Sequence, residues 1–101
     1  MAAAIEPVSI GDSTADGIIV PELAGEGHAS LIVIRCRRGF LMCGYLRLEQ
    51  AEQLGDVAVR VAGGSFDAVL ANKVTGLTPQ AAALVITPVK TGMQAAEILN
   101  R

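Results

Sequence analysis

Cys43 is the residue of this chain whose type and setting best suit chemistry. A thiol becomes a nucleophile when a base, a cation or a helix N-terminus favours its charged form. Arg47 and Arg35 could supply positive charge, and Gly44 leaves backbone room beside the sulfur. Cys43 and Arg47 are therefore the candidate catalytic residues. His28, in a glycine-rich loop, is a distant candidate base. The plainer reading is that Cys43 is a small hydrophobe in a strand, as free cysteine usually is. Gly63-Gly64-Ser65 forms a second candidate, between a strand-like and a helix-like segment. Backbone N–H groups at such a turn could bind an anion such as a phosphate or a carboxylate. These three residues are the candidate ligand-binding set. They match neither the GxGxxG nor the Walker pattern, and a Gly-Gly-Ser turn also serves as a tight connection. Arg35, Arg37 and Arg38 cluster near one predicted hairpin, where solvated turn charges are the ordinary reading.

Other chemistries find less support. One histidine and no CxxC motif leave zinc without an obvious ligand set, so no metal is expected, and no cofactor either. Cys36 and Cys43 invite a disulfide, but a hairpin between them argues against it. A two-residue turn at Arg38-Gly39 sets Cys36 against Leu41. A three-residue turn sets it against Phe40. In neither register do the sulfurs face each other.

The elements that must position these residues follow from hydrophobic pattern and turn chemistry. Ala2–Ala4 reads as a loose end, and residues 1–7 as an unstructured N-terminus. Val8–Ile10 and Ile18–Val20 are strand-like, the second ended by Pro21. Ser30–Cys36 carries four consecutive apolar residues and predicts a central strand. Arg37-Arg38-Gly39 predicts a tight turn, with Gly39 at positive φ. Phe40–Leu46 predicts the returning strand, with Gly44 marking a bulge or a place where something approaches the backbone closely. Arg47–Leu54 predicts a helix capped by Gly55. Val57–Val61 predicts a strand, and Ser65 caps a helix that aligns Phe66, Val69 and Leu70. Thr78-Pro79 starts another helix, with Ala81, Leu84 and Val85 inward and Pro88 ending the segment. Thr91 and Gln94 form a capping box for the last helix, which turns Ala95, Ile98 and Leu99 inward. Strands first and helices later give an α+β domain: a mostly antiparallel sheet of about five strands and three to four helices.

Composition bounds the rest. The chain has 101 residues, 51% hydrophobic and 18% charged, with net charge −2. That suits one domain with a core of Val, Ile, Leu and Ala, because aromatics are only Phe40, Phe66 and Tyr45. The apolar excess predicts shared surface with another copy, hence a homo-oligomer. The acidic balance makes nucleic acid a poor partner. The start of the chain has no basic region followed by an apolar run, and the longest apolar runs are Leu31–Ile34 and Phe40–Cys43. No membrane segment is expected, and a cytoplasmic location with reduced cysteines is.

Gly39-Phe40-Leu41-Met42-Cys43-Gly44-Tyr45-Leu46 resembles the YunC-like family, small bacterial and archaeal domains of unassigned function. Val57–Val61, Ser65-Phe66-Asp67 and Lys90-Thr91-Gly92-Met93 look similar to it as well, so the resemblance runs from Ser30 to Leu99. It implies the fold and brings no active site. Arg47 stands where the family tends to carry an acidic residue, and Pro88 where it tends to carry Gly. Two functional expectations follow from all this. The first is a self-associating binding or structural domain for a small anionic ligand or a protein partner. The alternative is an enzyme with Cys43 as thiol nucleophile.

Overall fold

The computed structural model describes residues 3–84, 86–87 and 90–101. Its strands are β1 (Ala4–Ile10), β2 (Ser13–Val20), β3 (Leu31–Arg35), β4 (Phe40–Met42), β5 (Ala58–Val61) and β6 (Val74–Leu77). Its helices are α1 (Leu48–Gln53), α2 (Phe66–Ala71), α3 (Pro79–Ala82) and α4 (Gly92–Leu99). The strands form one sheet in the order β1-β2-β3-β4-β5-β6. Every neighbouring pair is antiparallel except β4–β5, which is parallel. The domain is therefore α+β, with a mostly antiparallel sheet toward the N-terminus and helices toward the C-terminus.

The N-terminus is more ordered than its composition predicts. Residues 4–7 belong to β1, which pairs with β2 from Ala4↔Ile19 to Ile10↔Ser13. A two-residue turn, Gly11-Asp12, joins them, and Gly11 takes φ 58°, a conformation that costs glycine nothing. Ladder hydrogen bonds hold what little side-chain burial Ala4–Pro7 has.

The β3–β4 hairpin corrects three expectations. Its turn is Arg37-Arg38, closed by a hydrogen bond from the Cys36 N–H to the Gly39 carbonyl (2.8 Å). Arg35 therefore opposes Phe40 and Val33 opposes Met42, because the two-residue turn sits one residue earlier than in the Cys36–Leu41 alternative. Gly39 does not take a positive φ. It is needed for closeness instead: a Cβ there would run into the Val57 carbonyl oxygen. Strand β4 ends at Met42, so Gly44 lies in a turn and makes no bulge. The one register irregularity sits between Arg60 and Val61 in β5.

Strand alternation gives the sheet two faces. On one, Ile10, Ile32, Ile34, Leu41, Val59 and Val61 are almost wholly buried against Val69 of α2 and Ala95, Ala96 and Leu99 of α4. On the other, α1 covers Met42 and Ala58 with Ala51, and Phe40, Leu46 and Leu48 pack around them. The helices start where their caps predict. Ser65 accepts from the Ala68 N–H, Thr78 from the Ala81 N–H, and Thr91 with Gln94 completes the capping box. Strand β6 is the element the pattern conceals, being four residues with Gly76 inside. A Cβ at Gly76 would press on the Leu48 side chain. The expected contributions of Val85 and Pro88 fall outside the described residues.

Two polar side chains tie distant parts together. Thr78, 1% exposed, accepts from the Ala58 N–H (3.2 Å) and the Ala81 N–H and donates to the Asp56 carbonyl (2.9 Å). Asn100 accepts from the Arg37 N–H (3.1 Å) and donates to Ser13 Oγ (2.7 Å), clamping the end of α4 onto both hairpins. Thr78→Val keeps the shape and strands two buried N–H groups. Urea unfolding should show a loss of about 2 kcal/mol, and Thr78→Ser should recover most of it.

Candidate functional site

The parallel pairing of β4 and β5 decides where the site lies. Phe40 aligns with Ala58, Leu41 with Val59 and Met42 with Arg60. Both strands run the same way, so the segments leaving their carboxyl ends emerge side by side. The segment after β4 is Cys43-Gly44-Tyr45. The segment after β5 is Ala62-Gly63-Gly64. Together with Ala29 and Ser30, which lead into β3, they line an open cleft of about 460 Å³. That is within the size range of small-molecule sites. Two candidates about twenty residues apart in sequence thus share one cavity.

Each wall is fixed by backbone contacts. The Cys43 N–H donates to the Ile32 carbonyl (3.1 Å), and the Ile32 N–H donates to Cys43 Sγ (3.3 Å). This reciprocal pair fixes the thiol at the end of the β3–β4 ladder, where Cys43 is 3% exposed. A turn closed from the Leu46 N–H to the Cys43 carbonyl (3.3 Å) carries Tyr45 across. The Tyr45 hydroxyl donates to the Ala29 carbonyl (3.3 Å), joining the segment after β4 to the one before β3. On the far wall, Asn72 Nδ2 donates to the Ala62 carbonyl (2.7 Å) and holds the β5–α2 connection.

The glycines divide by what demands them. At Gly63 a Cβ would lie 2.8 Å from the Val69 nitrogen, so packing against α2 requires glycine. At Gly44 and Gly64 a Cβ would meet nothing within 4 Å, and neither residue has a positive φ. Neither packing nor backbone conformation calls for glycine there. What a side chain would take up at these two positions is the open space of the cleft. Among the described residues, the N–H groups of Gly44, Tyr45, Gly63 and Gly64 have no protein hydrogen-bond partner.

The remaining candidates lie elsewhere. Arg47 is the N-cap position of α1, highly exposed, 4.0 Å from Glu49 and beside a different hollow lined by Phe40, Leu46 and Leu54. Arg35 pairs with Asp16 (2.9 Å). Neither cation lies in the wall beside Cys43, so the expected pairing of Cys43 with Arg47 or Arg35 is not formed. His28 hydrogen-bonds back to Gly25 in its loop and does not line the cleft. Ser65 caps α2 and faces another hollow, beside Glu6 and Asp67. The cleft has no charged side chain in its lining, which is alanine, glycine, one hydroxyl, one phenol and one thiol.

No family model matches the chain. No curated protein matches it either. A crystal structure of a protein of unknown function, TA1206 from Thermoplasma acidophilum, superimposes with a TM-score of 0.84. The two sequences are 30% identical over 96% of this chain and 92% of that one. The chain belongs to the same family as that protein. The match covers nearly the whole chain and supports the fold, and that protein's function is itself unknown.

Reading residues alone missed Tyr45, Ala29, Ser30 and Ala62. Tyr45 carried the clearest signal, as the only tyrosine, two positions beyond Cys43. Ala29 and Ser30 carried none, because their place depends on the β2–β3 connection. Cys36 and Cys43 lie at opposite ends of the β3–β4 pair and are both free thiols.

Burial pushes the Cys36 thiol up from about 9 to about 11. The protonated thiol is the form the folded state holds. Its contribution to stability is complete below pH 9, where the unfolded thiol is also neutral. It is lost as pH rises from about 9 to about 11. Unfolding measured across this range should show wild type losing more stability than Cys36→Ala, with the two curves parallel below pH 8.

Proposed function

We propose that this chain is a small-ligand-binding domain whose site is the cleft at the carboxyl ends of β4 and β5. The observation carrying this reading is that Gly44 and Gly64 both border open space, on two separate segments. The ligand class follows from the walls. No cation faces the cleft, so an anion would depend on backbone N–H groups alone. Ala29, Ala62 and the Tyr45 ring offer apolar contact, while Ser30 and the unpartnered N–H groups offer a few hydrogen bonds. Such a lining favours a small, uncharged, mostly apolar molecule with one or two acceptor atoms over the phosphate or carboxylate that the Gly63-Gly64-Ser65 turn suggested.

Membership of the YunC-like family forms part of the reading, because the segment carrying that resemblance is the β4 wall of the cleft. So does self-association, supported by Ile5 at 75% and Leu54 at 68% exposure on a short chain. Thiol catalysis by Cys43 is the second reading, favoured by one observation: Cys43 is among the residues that line the cleft, although its side chain packs with the buried core. Without His28 beside it the thiol lacks a group to take its proton, and without Arg35 or Arg47 it lacks a cation to favour the thiolate.

Amide chemical shifts under titration separate these readings. Cyclohexanone serves as a neutral, mostly apolar probe with one acceptor atom, inorganic phosphate as an anionic one. Cyclohexanone should shift Ala29, Ser30, Gly44, Tyr45, Gly63 and Gly64 together, and phosphate should leave them in place. Shifts from phosphate alone at residues 63–65 would reinstate an anion site. No response to either probe would remove the binding reading.

A further inference from the structure

The sheet is covered unequally. Its helix-packed face is filled from β1 to β6, but α1 reaches only the β4–β5 end of the other. The register reads that second face as two rows. One row runs Ile5, Ile18, Val33, Met42 from β1 to β4. The next runs Pro7, Asp16, Arg35, Phe40. Met42 is buried under α1, whereas Ile5 is exposed and Ile18 and Val33 are half-buried. Among the described residues, Ile5, Ile18 and Val33 pack into neither buried cluster. An apolar row across three strands, left to water, is the sort of surface that marks an interface.

We propose that a second copy of this chain covers this face, sheet against sheet, about a two-fold axis. The proposal gives a surface to the self-association proposed above. Charge selects the occupant. The β1–β3 part of the face carries one charge of each sign, Asp16 and Arg35, paired at 2.9 Å and both well exposed. A two-fold axis through such a pair sets Asp16 of one copy opposite Arg35 of the other, twice, so the face is complementary to itself. A strongly charged partner would meet one charge that attracts it and one that repels it.

Pairing through the sheet edge is the competing geometry, and β1 opposes it. Pro7 is the fourth of its seven residues and has no N–H to extend a ladder onto another strand. Face-to-face packing needs no such donor, and sheets stack comfortably with their strands near-aligned.

The test is sedimentation of the full chain over a concentration series. Wild type should show a reversible dimer. Ile5→Lys should raise its dissociation constant at least tenfold. Asp16→Arg and Arg35→Asp should each be monomeric where wild type is dimeric, because each places like charges across the axis. Mixed in equal amounts, they should form a heterodimer, since one then carries two positive and the other two negative charges. All three positions are exposed, and the amide spectrum of each variant verifies its fold. A wild type that is monomeric up to its solubility limit overturns both this proposal and self-association. A dimer untouched by these variants, or charge variants that do not recombine, overturns this surface alone. The cyclohexanone titration reports on the cleft in every case.

Discussion

The parallel pairing of β4 and β5 is the contact on which the architecture turns. An all-antiparallel meander would send the ends of these strands to opposite sides of the sheet. Cys43 and Gly64 would then lie a strand's length apart. Three features impose the parallel register. Gly39 lets the Val57 carbonyl come against the start of β4, and the Phe40 N–H donates to that same carbonyl. The α1 crossover supplies the length that a parallel connection needs, and it buries Ala51 on Met42 and Ala58 as it passes. Thr78 then fixes the start of β5 by bonding Ala58 at both its N–H and its carbonyl.

The cleft follows from that register rather than from any motif. Parallel strands leave their carboxyl ends together, and connections from neighbouring ends diverge around a crevice. Here one connection becomes the Cys43–Tyr45 turn and the other leads into α2. Asn72 and Ser65 anchor the second, Ile32 and Tyr45 the first. The walls are therefore rigidly held while the space between them stays open. At Gly44 and Gly64, on this rim, a Cβ would meet nothing within 4 Å.

Local signals were read well from residue types, and long-range ones poorly. The caps at Ser65, Thr78 and Thr91 depend on neighbours within three residues, and each stands where its residue type placed it. The apolar run 31–34 made β3 legible as a central strand. Strand β1 was under-read because its outer half, Ala4–Pro7, buries little, and pattern reading depends on burial. Strand β6 was missed because Gly76 hides it. Cys43 and Gly64 each stand out by residue type, but their meeting does not, since register is a property of the whole sheet. One clue was present: strand, helix, strand over Phe40–Val61 is the order of a parallel crossover. Nearness in sequence suggests that Arg47 lies beside Cys43, whereas the turn at Gly44-Tyr45 carries it to the N-cap of α1, beside a different hollow.

The segments after β4 and β5 wall a single cavity, and the proposed binding depends on its being open to small molecules. Gly64→Val tests it with Cys43 as the reporter. Iodoacetamide is a neutral reagent small enough for the cleft, and mass spectrometry follows each cysteine of the native protein separately. The valine side chain enters open space at a position 21 residues beyond the thiol, so the fold has no reason to change. Alkylation of Cys43 should slow at least tenfold relative to wild type, with the slow reaction of Cys36 unaltered. An unchanged rate at Cys43, or a wild-type Cys43 that reacts only on unfolding, would contradict the shared cleft.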